Sequence, residues 1–170
     1  MSLTKFTAVV AAMTMSVSSA MAGAMTPVEL EPMKHVEATL VVIGADGQSM
    51  SYTPAELEQF ATYSLTTTTP WREEPAEFEG VLLSEVLAAH GLDDATSILV
   101  TAENDYSTTL QRELLDSVPI LVATRVDGRP HSRRARGPIQ FVIDRNAFTA
   151  SELTSESNFV WMAARIEVGE

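Results

Sequence analysis

The chain has no cysteine in its 170 residues. No disulfide can staple it, so whatever it folds into must be held by packing and hydrogen bonding alone. The same absence excludes thiolate nucleophiles, zinc–thiolate sites, iron–sulfur clusters and covalently attached haem. It carries weight because the N-terminus reads as an export signal, and exported chains are where disulfides are permitted. Lys5 gives a positive start, Phe6 to Val17 is apolar or small without charge, and Ala20-Met21-Ala22 offers a small-residue site for cleavage after Ala22. Cleavage after Ala24 is the alternative. The apolar run is too short and too rich in Ser and Thr to span a bilayer, which takes about 20 apolar residues. The expected organisation is a signal peptide over residues 1–22, a flexible lead-in over 23–35 holding Pro27 and Pro32, and one domain over 36–170. The expected location is the periplasm, with no membrane span in the mature chain.

A formal charge of −12 argues against binding nucleic acid or an anionic lipid surface, both of which need a positive face. Along the domain, short runs rich in Val, Ile, Leu and Thr are separated by turn signals. They predict strands at His35–Ile43, Gln48–Tyr52, Tyr63–Thr69, Ile98–Ala102, Pro119–Val126, Ile139–Ile143 and Asn158–Val168. In the last of these, Phe159, Trp161 and Ala163 would share one face, and Val160 and Met162 the other. Thr53-Pro54-Ala55-Glu56 reads as a capping box opening a helix to about Ala61. Ser84 to His90 reads as a second helix stopped by Gly91, and Thr108 to Gln111 as a box opening a third, to Asp116. Trp71 to Glu77 reads as a polar loop. Many strands, three short helices and no parallel βαβ repeat predict an α+β fold with a mixed β-sheet core and short inserted helices.

Five arginines fall within twelve positions: Arg125, Arg129, Arg133, Arg134 and Arg136, with His131 among them. Clustered like charges repel, so either the protein's own carboxylates or a ligand must offset them. The planar guanidinium matches two oxygens at once, which points to anion capture. The bland alternative is a solvated hairpin face paired with some of the 23 acidic residues. If the stretch were extended, Arg134 and Arg136 would share a face and Arg133 would point away. Arg134, Arg136, Arg133 and His131 are therefore the candidate ligand-binding residues. Trp71 and Tyr106 join them as loop aromatics of the kind that line pockets. His35, His90 and His131 show no metal-ligand spacing, and His90 suits the end of its helix. No catalytic residue and no metal site is expected.

The segment Phe78-Glu79-Gly80-Val81-Leu82-Leu83-Ser84-Glu85-Val86-Leu87 resembles the F-x-G-V-x-L-x-x-L-L segment of the molybdopterin-binding domain of the sulfite oxidase family. Thr101 to Ser107 is similar to that family's A-x-D-G-Y-S turn. Leu121 to Thr124 with Asp127-Gly128-Arg129-Pro130, Gly137 to Ile143, and Trp161 to Val168 are similar to its later strands. The ordered set covers most of residues 36–168. It implies a sulfite-oxidase-type fold, most like the small exported members that consist of this domain alone. It also implies a molybdopterin cofactor whose pyrophosphate the arginines could hold. In catalytic members a cysteine upstream of the F-x-G-V segment ligates the metal. Here that neighbourhood is Leu65-Thr66-Thr67-Thr68-Thr69, Asn104-Asp105 stands in the D-G-Y turn, and Gln140 replaces the arginine after G-P-L. These departures argue against thiolate-ligated molybdenum. What remains is an exported binding module for a small anion, with a pterin-type cofactor among the candidates, or for a partner protein. An oxidoreductase with a non-cysteine metal site and a ligand-free accessory domain, for instance of a membrane sensor, are the alternatives.

Overall fold

The computed structural model describes residues 25–169. The expected signal peptide lies outside the described residues. The elements run β1 (Thr26–Pro27), β2 (Leu40–Ile43), β3 (Ser49–Tyr52), α1 (Pro54–Leu57), β4 (Thr62–Thr69), β5 (Arg72–Leu82), α2 (Leu83–Ala89), β6 (Ser97–Ala102), β7 (Ser107–Gln111), α3 (Arg112–Ser117), β8 (Leu121–Val126), β9 (Arg129–Pro130), β10 (Gln140–Val142), α4 (Arg145–Ala150) and β11 (Ala163–Val168). One antiparallel sheet has the order β1-β4-β5-β8-β10, with β9 added against β8. The other has the order β3-β2-β11-β6-β7, and its β2–β11 pair is parallel. The class is α+β with mixed sheets and short inserted helices, as the sequence predicts.

The first sheet is buried on both faces, because alternate residues of a strand point to opposite sides. Val122 joins the large core with Leu83, Val86 and Leu87 of α2, whereas Leu121 and Ala123 join a smaller cluster with Leu65, Phe78 and Val142. That double burial is why β8 opens on the continuous apolar run Leu121-Val122-Ala123. Gly80 lets β5 approach β8: a Cβ there would lie 2.0 Å from the Val122 carbonyl oxygen and 2.8 Å from Ala123 Cα. The glycine of the F-x-G-V segment thus has a steric reason. The capping box is present, with Thr53 accepting from the Glu56 amide and Glu56 accepting from Thr53 N at 2.7 Å.

Several expectations are corrected. Trp71–Glu77 is not a loop beyond Trp71; Arg72 to Leu82 is one strand hairpinned to β4. Its polar half is exposed because β8 pairs with β5 only from Phe78 onward, so Pro75 leaves no ladder bond unmade there. Thr108 to Gln111 belongs to β7, zipped to β6, and α3 begins after it with no side-chain cap. Tertiary pairing overrides the local cap pattern. The closing strand starts only at Ala163. Met162 adopts φ 54°, which breaks the alternation, and before it Phe159 and Val160 are both buried. α4 was absent from the sequence reading, although Asp144 caps it by accepting from the amides of Asn146 and Ala147. The lead-in is not free: Thr26–Pro27 pairs with β4, and Arg125 donates to the Glu31 carbonyl at 2.8 Å.

Candidate functional site

A cleft of about 380 Å³ opens at one end of the first sheet. Four pieces of chain build it: the β4–β5 turn with Trp71, the segment from His131 to Arg136, Gln140 at the start of β10, and Trp161 before β11. Ser132 accepts from the Ala135 amide and caps a single tight turn over Arg133–Ala135, so this stretch is not extended. The alternating faces expected for Arg133, Arg134 and Arg136 therefore do not exist. Arg136 follows the turn at φ 78°, and its carbonyl accepts from the Met162 amide at 3.2 Å. That bond, with the Gln140–Trp161 bridge, brings the two ends of the cleft together.

The guanidinium of Arg136 lies over two indoles, 4.5 Å from the Trp71 ring centre and 5.2 Å from that of Trp161. Such contacts hold a cation in place while leaving its N–H donors unspent. Arg72, Arg133, Arg134 and Arg136 all line the cleft, and no carboxylate does. Arg72 bonds Asp127 at 3.3 Å, and Arg133 pairs with Glu103 and donates to the Glu37 carbonyl at 2.8 Å. Arg134 and Arg136 make no ion pair among the described residues. In a chain of charge −12 this is a local positive field, which concentrates small anions.

Arg125 has a different role. It is buried and gripped by Glu58, through Nε at 2.9 Å and a second nitrogen at 2.6 Å. Thr124 and His35 reach the same carboxylate at 2.7 and 3.1 Å. Arg125 therefore ties β8 to the segment after α1 and contributes nothing to the cleft. Arg129 is exposed on β9.

His131 lines the cleft, is 2 % exposed, and its Nε2 meets the Gln140 amide at 2.8 Å. Burial pushes its pKa below the usual imidazole value; the Gln140 bond opposes this and the Arg72 charge reinforces it. Gly137 packs on it so closely that a Cβ would sit 2.6 Å from His131 Cγ. Tyr106 is not at the cleft; it is an exposed turn residue whose amide donates to Asn104 Oδ1. His90 is structural, at the α2 C-cap with Tyr52 2.8 Å from its Nε2. Sequence reasoning missed Arg72, which follows Trp71 in the turn, and Trp161, which it assigned to a strand face. A larger hollow of about 620 Å³ beside α2 and α3 is lined by Leu83, Leu87, Leu115, Val118 and Ile120 together with polar residues that include the Arg112–Asp116 pair.

The comparisons with known proteins bear on the fold. No family model matches the chain, and no curated protein matches it. Among solved structures it is similar to the sulfane dehydrogenase SoxCD from Paracoccus pantotrophus, with a TM-score of 0.58 at 14% identity. The fold is sulfite oxidase-like. The likeness covers 82% of this chain and 40% of that one, so this chain spans well under half of the dehydrogenase chain it matches.

The sequence resemblance implies a molybdopterin site, and the residues can be tested against one. Where the resemblance places a metal-ligating cysteine, β4 ends in Thr69, a neutral hydroxyl that lines the cleft. It is a hard donor where a soft thiolate is required. Among the described residues no three His, Asp or Glu side chains gather as a ligand set. The donors present fit an anion and do not fit a thiolate-held metal.

Proposed function

We propose that the domain is an exported binding module that captures a small anion between Arg134, Arg136 and the Trp71–Trp161 pair. The observation that supports this reading is a cleft with four arginines and no carboxylate in a strongly acidic chain. Two of those arginines lack a counter-charge among the described residues. Redox chemistry through a protein thiolate forms no part of the proposal, since the chain has none to offer.

The test is a thermal-shift titration with inorganic phosphate, sulfate and small carboxylates. An anion at 100 times its Kd adds about 2.7 kcal/mol of stability. Arg136→Ala and Arg134→Ala should each remove most of that gain. No response to any anion, or the same response in both variants, would eliminate the cleft as the site.

A further inference from the structure

We infer that this cleft selects a protonated oxyanion, a hydrogen phosphate group free or esterified, over an aprotic oxyanion of the same shape such as sulfate. The inference rests on the anion-binding reading above and adds which anion is taken. It comes from the His131–Gln140 pair at the cleft wall. Both side chains are 2 % exposed, and both line the cleft. They meet at 2.8 Å, yet His131 Nδ1 and Gln140 Nε2 have no partner and no contact with bulk water.

The unmet groups can be counted without knowing where the hydrogens are. If His131 Nε2–H donates to the amide oxygen, Nδ1 is left as a bare acceptor and the amide NH2 as a donor. If the amide is turned round, its NH2 donates to Nε2, and what remains is an Nδ1–H donor and an amide oxygen acceptor. With a neutral imidazole, either arrangement leaves the pair at least one donor and one acceptor. On this inference a guest in the cleft meets the pair, both of whose side chains line it.

The arginines only donate, so by themselves they treat phosphate and sulfate alike. The acceptor of the pair separates them, because only a guest that carries O–H satisfies it. Sulfate has no proton to give near neutral pH. Inorganic phosphate has at least one, and a phosphate monoester gains one as the pH falls through about 6. An aprotic guest leaves the acceptor facing oxygen lone pairs, which a buried site discriminates against.

The experiment is calorimetric titration of the full chain at pH 6 and fixed ionic strength with phosphate, methyl phosphate and sulfate, alongside nitrogen NMR of His131. Phosphate should bind tighter than sulfate by about tenfold or more, the ratio expected for one buried polar group left unmet. The His131 Nδ1 resonance should move with phosphate and stay put with sulfate. Methyl phosphate matching phosphate would identify an esterified guest, and phosphate alone a free ion; either supports the inference. Equal affinities, or a tight phosphate complex with an unmoved Nδ1 resonance, overturn it while leaving the anion cleft standing. Failure of all three to bind overturns both readings. Gln140→Leu breaks the pair and should change the phosphate-to-sulfate ratio, and an unchanged ratio counts against the pair. If that variant does not fold, the wild-type ratio and the Nδ1 signal decide the matter.

Discussion

Glu58 and Glu79 are both buried and both feel the charge of Arg125, with opposite results. Burial alone would raise the pKa of Glu58, but the bonds from Arg125 and Thr124 and the charges of His35 and Arg125 bring it below the usual carboxylate value. Burial and the Glu77 charge raise that of Glu79, whose Oε2 has no partner. Glu58 therefore adds stability above the unfolded carboxylate pKa of about 4.3, and this is lost as the pH falls through its lower folded value. Glu79 has the reverse sign: stability declines as the pH rises from about 4.3 through its raised folded value. Glu58→Gln leaves Arg125 buried without its counter-charge and should cost about 3–5 kcal/mol in urea unfolding at pH 7. Glu79→Gln should raise stability at pH 7, with the gain disappearing in acid where Glu79 is protonated in both states. A variant equally stabilised at both pH values would contradict that assignment. At this scale the sequence was half legible. The arginine run announced positive charge, but only tertiary position separates Arg125, which meets Glu58 across 67 residues, from Arg136, which meets two indoles.

Between strands, β5 comes close to β8 at Gly80. Gly80→Ala would drive a methyl group into the backbone of β8, with no flexible side chain to yield. The expected loss is about 3 kcal/mol or more in chemical denaturation, at the upper end for overpacking. By contrast, Thr53→Ala removes only the cap of α1, a loss of about 1 kcal/mol. Finding the two equal would mean that β5 and β8 can part without penalty. The elements legible in advance were those whose local pattern agrees with their packing: the capped start of α1, α2 with its apolar face, and β8 with its apolar start. Those that were misread owe their shape to neighbours. The polar half of β5 is a strand because β4 pairs with it, and the Thr-rich β7 is a strand because β6 does.

Over the whole molecule, a net negative chain presents one positive recess, so binding should weaken with salt. Raising ionic strength from about 0.01 to 0.15 M shortens the screening length from roughly 30 to 8 Å, and the apparent affinity for phosphate should fall with it in calorimetry. An affinity indifferent to salt would show that the arginines are not what holds the guest. Protein purified from its own compartment should contain no stoichiometric molybdenum by elemental analysis, since the Leu65–Thr69 stretch, where the resemblance puts the metal ligand, holds no sulfur. The fold at this scale was legible through the order of its strand and turn segments. The cleft was legible only in part, because Trp71 and Trp161 stand ninety positions apart in sequence and meet only through the turn that places Arg136. The chain has two tryptophans in all, and they flank the same guanidinium. Every photon that an indole here emits therefore reports on one spot. A guest that draws Arg136 out from between the rings will change that light without any label, and Trp71→Phe or Trp161→Phe will tell which ring noticed.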